Sequence, residues 1–319
     1  MDNKIKNIKP IKNLVSGGAG FLGSHLIDSL MEKNEEVICL DNYSTGQESN
    51  NKQWINHPNF RIIRHDVTNP IELEIDAIWH LASPASPVHY KSDPIKTSKT
   101  IFLGTYNLLS LSKKVGAKFI LASTSEIYGD PEVNPQDENY NGSVNTTGIR
   151  SCYDEGKRIA ETLCSDYKRM HNLDVKIMRI FNTYGPRMRS NDGRVISNFI
   201  FQALKGKPLT IYGDGNQTRS FCYVDDLIEG MTTLMNSDIN TPTNIGNPEE
   251  FKIIQLANII KDIINPNLEI IYKPLPEDDP SQRRPDISKA KRDLKWQPKV
   301  NFEKGIHLTI DWFKNTYFL

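Results

Sequence analysis

Tyr153 and Lys157 stand four positions apart in Ser151-Cys152-Tyr153-Asp154-Glu155-Gly156-Lys157-Arg158, the opening of a stretch with helical spacing that runs to about His171. On a helix, residues four apart share a face, so a phenol and an ammonium can point into the same space. A free tyrosine, with a pKa of about 10, is a poor base at neutral pH, but a cation within roughly 4–6 Å favours the phenolate. Such a phenolate can take the proton from an alcohol while a hydride leaves the same carbon. An ordinary exposed Tyr/Lys pair has the same spacing. The pairing gains meaning only if the chain also supplies a hydride acceptor and a place for the alcohol.

The N-terminal stretch meets the first need. Lys12-Asn13-Leu14-Val15-Ser16 reads as a short buried strand, followed by glycines at Gly17, Gly20 and Gly23 and a helical pattern through about Met31. Gly17 permits the tight turn, Gly20 lets backbone N–H groups at Phe21 and Leu22 approach a pyrophosphate, and Gly23 lets helix and strand pack closely. A second strand, Val37 to Leu40, ends in Asp41, the place for a carboxylate on ribose hydroxyls. An acid there repels a 2′-phosphate, which favours NAD over NADP.

Further strands are expected at Phe60–Arg64, Ala77–Ser83, Lys118–Ala122 and Val175–Ile180. Asp66, after the third, could meet the adenine amino group, and Leu81 to Ser83 the adjoining ribose and phosphates. His65 and His80 have no partner at ligand spacing, so no metal site is expected. Pro84, Pro87 and Pro94 imply a shaped loop, then a helix from about Ile95 to Lys114. Ser123-Thr124-Ser125-Glu126 clusters hydroxyls and a carboxylate at a strand end. These could form a turn or cap, or Thr124 could share a substrate oxygen with Tyr153.

Strands alternating with helices over residues 12–180 predict an α/β fold, a doubly wound parallel (Rossmann) sheet that binds the dinucleotide. Residues 181–319 alternate short strands, helices and Arg-bearing loops, as a smaller substrate lobe would, with the core sheet continuing into later segments. Residues 1–11 read as a solvated tail. The 39 basic and 39 acidic residues leave no net field for nucleic acid or an anionic membrane. No apolar run approaches a membrane span, and Cys39, Cys152, Cys164 and Cys222 have no C-x-x-C spacing. Reduced thiols and a cytoplasmic location are expected.

Taken together, these blocks resemble the extended short-chain dehydrogenase/reductases that modify nucleotide sugars. The weight falls on Gly17 to Gly23, His80-Leu81-Ala82-Ser83-Pro84-Ala85-Ser86-Pro87, Ala122 to Pro131, Cys152 to Arg158, Arg179 to Met188, Asp192 to Ile200, Gln217 to Phe221 and Pro285-Asp286-Ile287. Within the family the likeness is greatest to the branch that decarboxylates UDP-glucuronate to UDP-xylose. The resemblance implies that Tyr153 is the base with Lys157 beside it, that Thr124 polarises the sugar C4 oxygen, that Glu126 serves as acid or base, and that Arg283 lies near the substrate carboxylate. Around NAD it places Asn42, Thr45, Gly46, Val67 and Thr183 with the glycines, Asp41, Asp66, Leu81 and Ser83. Ser125, Asn182, Arg194, Tyr212 and Arg219 fall to the UDP-sugar, and a homodimer is implied.

Two features bear on the branch. Dehydratases of this family carry Asp-Glu where this chain has Ser125-Glu126, so loss of water is disfavoured. Relatives carry Asn where Ile101 stands, which removes a polar contact near the cofactor. A nucleotide-sugar 4-epimerase or dehydratase and a catalytically silent NAD(H)-sensing protein remain alternatives.

Overall fold

The computed structural model describes residues 9–275 and 282–318, so most of the expected tail, residues 1–8, lies outside the described residues. The first half is built from β1 (Lys12–Ser16), α1 (Phe21–Met31), β2 (Glu36–Asp41), β3 (Phe60–Arg64), β4 (Ala77–His80), α2 (Pro87–Ser92), α3 (Pro94–Val115), β5 (Lys118–Thr124), α4 (Ser151–His171) and β6 (Val175–Ile180). Next come β7 (Thr183–Tyr184), α5 (Val195–Leu204), β8 (Leu209–Tyr212), β9 (Thr218–Ser220), β10 (Cys222–Tyr223) and α6 (Val224–Met235). The chain ends with β11 (Thr243–Ile245), β12 (Glu250–Lys252), α7 (Ile253–Ile264), β13 (Ile270–Lys273), β14 (Gln282–Arg283) and α8 (Phe302–Tyr317).

Seven strands form one sheet in the order β11-β6-β5-β4-β1-β2-β3, every pair parallel. The order reverses between β1 and β4, the switch point where such sheets open a crevice at their carboxyl ends. Alternation along each strand feeds two cores. Val15, Cys39 and Ile120 pack with Leu26 and Leu30 of α1 and Leu227 of α6, whereas Leu14, Leu40, Phe119 and Leu121 pack with Leu108 of α3 and Ala160 of α4. Both faces are therefore covered, which is why these strands read as near-continuous apolar runs.

The expected elements differ from the observed ones where a neighbour decides the length. β4 stops at His80 rather than Ser83, because β1 ends at Ser16 and Gly17 turns away, leaving Leu81 the last residue bonded to its backbone (Leu81 N–H to Ser16 C=O, 3.0 Å) and Ala82 N–H bonded to the Ser16 hydroxyl at 3.4 Å. β5 continues past Ala122 to Thr124 because β6 continues beside it, Ser123 opposite Arg179 and Thr124 opposite Ile180. The proline-broken loop contains the short helix α2, which begins at Pro87, where a proline's missing N–H costs nothing. The seventh strand, β11, and its covering helix α6 come from beyond residue 180, so the sheet draws on both halves of the chain.

Candidate active site

A cavity of about 900 Å³ opens along the carboxyl ends of the strands, long enough in its lining to touch both halves of the chain. At one end, Gly17 sits at φ +73°, and its N–H donates to the Leu40 carbonyl at 2.8 Å. A Cβ there would stand 2.9 Å from the Ala82 nitrogen, and one on Gly23 would stand 2.2 Å from the Gly17 carbonyl oxygen. Gly20 differs: a Cβ there would meet only the Gly17 oxygen, at 3.1 Å, and otherwise project into open space. Gly20 caps α1 without a side-chain hydrogen bond, and the first turn holds no acid. The amides of Phe21 and Leu22 precede the helix's first internal bond, Ser24 N–H to Gly20 C=O at 3.1 Å, so uncompensated N–H groups face a space kept clear of side chains. This cradle fits a dinucleotide pyrophosphate.

Asp41 ends β2 on the same wall and is 8% exposed. Its carboxylate accepts from the Ala19 amide at 3.0 Å and the Tyr43 amide at 2.8 Å; burial pushes its pKa up and these bonds pull it back. Asn42, Thr45, Val67, Leu81, Ser83 and Thr183 also line the cavity. Gly46 and Asp66 do not appear in its wall. Gly46 instead lets the loop close, since a Cβ there would come within 3.0 Å of both Asp41 oxygens. Asp66 spends one oxygen on Thr68 (N–H at 3.0 Å, hydroxyl at 2.8 Å) and the other on the Asn42 amide at 3.0 Å. It shapes the turn, and its neighbours His65 and Val67 are the ones that face the cavity. His80 bridges Ser16 at 2.8 Å and Thr105 at 3.2 Å, with burial lowering its pKa to about 3, so it is a neutral structural imidazole.

At the other end, α4 presents Tyr153 and Lys157, both buried. The Lys157 ammonium lies 5.9 Å from the Tyr153 ring centroid and donates to the Ala122 carbonyl at 2.7 Å. Burial lowers its pKa to about 8. Tyr153 is hydrogen-bonded to Thr124, yet burial outweighs that bond and raises its pKa. The expectation that Lys157 brings Tyr153 into the working range is therefore corrected for the protein's own groups. They leave Tyr153 a phenol, because the desolvation of a buried phenolate exceeds what the Thr124 hydrogen bond and the Arg194 charge return. Beneath it, Tyr90 of α2 stacks at 5.1 Å with the rings 6° from parallel.

Glu126 requires a second correction. Its carboxylate is paired with Arg283 at 2.7 Å and with Arg150 at 2.5 Å. Burial alone would raise its pKa, but Arg283 and then Arg150 hold it at about 2. A carboxylate so held is no proton donor at neutral pH; the general-acid half of the role expected for Glu126 does not fit, and orientation of the two guanidiniums does. Arg283, 2% exposed, also donates to the Ser125 hydroxyl at 3.3 Å and the Gly129 carbonyl at 3.0 Å, while its Nε–H is buried without a partner. Arg194 pairs with Asp192 at 2.9 Å, Arg219 donates to the Thr218 carbonyl at 2.8 Å, and the Asn182 carbonyl accepts from the Cys222 amide at 2.9 Å. These three and the half-exposed Tyr212 complete the far wall. Ile101 is buried against Gly156, filling the gap between α3 and α4 with methyl groups.

The fold brings into one cavity every expected catalytic and substrate residue and all the expected cofactor residues except Gly46 and Asp66. Tyr90 and Arg150 were not singled out from sequence. Arg150 carries a faint signal, three residues ahead of Tyr153 on the rim of the same helix. Nothing in the sequence marks Tyr90 beyond its place among prolines.

The chain belongs to the family described as GDP-mannose 4,6 dehydratase, whose model matches residues 14–309, a family of extended short-chain dehydrogenase/reductases. Among proteins of known activity it is 57% identical over 302 residues to UDP-glucuronic acid decarboxylase 5 of Arabidopsis thaliana, covering 94% of this chain and 89% of that one. It is 54% identical to UDP-glucuronic acid decarboxylase 1 of Xenopus tropicalis, covering 94% and 72%. Of solved structures it resembles UDP-glucuronic acid 4-epimerase from Bacillus cereus in complex with UDP-glucuronic acid and NAD, with a TM-score of 0.88, 30% identity, and 96% and 100% of the two chains covered. UDP-glucose 4-epimerase from Thermotoga maritima, with UDP-glucose, is similar at a TM-score of 0.88 and 31% identity, covering 96% and 99%.

Proposed function

We infer that this chain is an NAD-dependent decarboxylase converting UDP-glucuronate to UDP-xylose and carbon dioxide. The observation that carries the reading is the pairing of a Tyr153–Thr124 proton-transfer unit with a buried arginine, Arg283, whose Nε–H is unpartnered. A base for a sugar hydroxyl and a cation for a sugar carboxylate stand in one cavity. The high identity to UDP-glucuronic acid decarboxylases supports the same assignment.

The glycine cradle and Asp41 would hold NAD, which when bound would supply a hydride acceptor for C4 and a positive charge that favours the Tyr153 phenolate. Tyr153, as the phenolate that bound NAD would favour, takes the C4 hydroxyl proton, with Thr124 bonded to the same oxygen. The resulting ketone lies β to the carboxylate, so the C5–C6 bond breaks, carbon dioxide leaves and the electron pair passes into an enolate. Tyr153 and Thr124 donate to that oxygen as its charge grows. C5 then takes a proton from solvent, and Tyr153 returns its proton to the C4 oxygen as the ketone is reduced, so that no net oxidation would remain. Ser125, bonded to Arg283, occupies the place where dehydratases need an acid, which favours loss of carbon dioxide over loss of water.

Proton NMR of the NAD-loaded protein with UDP-glucuronate tests this. Two hydrogens at C5, one of them deuterium in deuterated water, are expected; a UDP-hexuronate epimer with all carbons retained overturns the reading. For assembly, α3 and α4 lie side by side and expose Ile95, Phe102 and Tyr106 on one and Ile159 and Met170 on the other. That stripe fits a homodimer packed helix on helix, and a sedimentation mass of one chain would refute it. The four free cysteines fit a reducing compartment such as the cytoplasm.

A further inference from the structure

Asp154 follows the base by one residue and has no part in the steps above. It is buried, 7% exposed, and its Oδ1 has no hydrogen-bond partner. Among the described residues, the charged groups facing it are Glu126 from the turn after β5, Arg150 and Glu155 from its own helix, and Arg283 from β14. The phenols of Tyr90 and Tyr153 and the Cys152 thiol complete its titratable surroundings. Both arginines already pair with Glu126. A second buried carboxylate in this position gains little from guanidiniums that are engaged and is repelled by Glu126. Under those conditions a carboxyl keeps its proton. Burial and then Glu126 raise its pKa to about 7.

The charges of the described residues give that proton a use. With Glu155 offset by Arg158 at 3.6 Å, Glu126, Arg150 and Arg283 together carry +1; an ionised Asp154 cancels this, and a protonated Asp154 preserves it. We propose that Asp154 takes up a proton from solvent when a sugar nucleotide bearing a carboxylate binds, so that the cluster carries a matching positive charge while there is a carboxylate to hold, and returns it to solvent once carbon dioxide has left. The proposal rests on UDP-glucuronate being the substrate. It agrees with the balance of that reaction: breaking C5–C6 releases neutral carbon dioxide and leaves an electron pair that must be protonated at C5, so each turnover consumes one proton. Asp154 is a positioning residue in this scheme, acting through the charge of Arg150 and Arg283 and touching neither sugar nor cofactor.

The test is calorimetric titration of the NAD-loaded Tyr153→Phe protein, in which chemistry is blocked, in buffers of different protonation enthalpy near pH 8. UDP-glucuronate should bind with uptake of half a proton or more, roughly, and UDP-xylose, which has the same diphosphate and no carboxylate, with close to none. Between about pH 6.5 and 8.5 the affinity for UDP-glucuronate should fall by up to about tenfold while that for UDP-xylose stays level. Adding Asp154→Asn, which mimics the neutral acid, should abolish both the excess proton uptake and the pH dependence. Equal uptake with the two sugars overturns the proposal without any change at Asp154, as does unchanged uptake in the Asn variant. Binding of UDP-xylose with no binding of UDP-glucuronate would overturn the substrate reading itself, and this proposal with it.

Discussion

At the cofactor end of the cavity the protein presents backbone and empty space; at the sugar end it presents buried charge. The first is made by Gly17, Gly20 and Gly23 within one turn and by Asp41 at the end of the next strand, whose carboxylate is satisfied by two nearby amides. The second joins Glu126, Arg150 and Arg283 from three elements, with Arg283 reaching Ser125 across 158 positions of sequence. A site of the first kind tolerates no added atom, because what it needs is room for a ligand against N–H groups. A site of the second kind tolerates no lost atom, because removing one partner strands a charge away from water.

The contrast can be broken at several points. Tyr153→Phe deletes only the oxygen that moves the proton, so turnover should fall by about 10²–10⁴-fold while the melting temperature and NAD affinity stay near wild type. Steady-state rates and a thermal melt decide it, and a variant retaining most of its rate would move the base elsewhere. Arg283→Ala should be costly in two ways, abolishing turnover and lowering stability by about 3 kcal/mol in denaturant titration, because Glu126 loses one of its two counter-charges. Glu126→Gln with Arg283→Met should recover much of the stability and none of the activity; recovery of neither would mean that the pair serves packing alone. The same pair predicts a pH effect. The folded pKa of Glu126 is depressed below its ordinary 4.5, so its stabilisation is complete above that pH and is lost as pH falls towards about 2.

The cofactor end should respond to addition. Gly23→Ala places a methyl 2.2 Å from a backbone oxygen, and about 2 kcal/mol of stability should go, with NAD affinity reduced at least about tenfold. An unaffected melt would show that α1 can shift, against the picture of a fixed cradle. The smallest expected effect is cofactor choice: NADP should bind at least about tenfold more weakly than NAD, since Asp41 stands where a 2′-phosphate would add like charge. Equal binding by fluorescence titration would remove that role from Asp41.

How far the chain could be read follows from the same contrast. α4 was bounded at Ser151 and about His171 and β3 at Phe60 and Arg64 from local spacing, because a helix with one buried face and a strand with apolar residues towards both cores each carry their pattern within a few residues. The Gly17 to Gly23 turn and Asp41 were legible because backbone approach to a pyrophosphate requires glycine at set spacings, a constraint that acts within one βαβ unit. Family resemblance gave Arg283 and Glu126 their roles but not their mutual pairing, and so it gave Glu126 a proton-donating role that two guanidiniums deny it.

Sequence by itself determined the alternation of strands and helices, the phosphate cradle and the Tyr153–Lys157 face, each a matter of spacing along a few turns of chain. Only the tertiary structure decided that β11, from beyond residue 180, completes the sheet, that Asp66 binds Thr68 and Asn42, and that Tyr90 stacks on the base. It alone set the protonation of the buried groups, raising Tyr153 and Asp154 and lowering Glu126 and Lys157. The physical reason is that a pKa depends on how much water a group loses and which charges it then faces, and both are properties of elements brought together from distant parts of the chain.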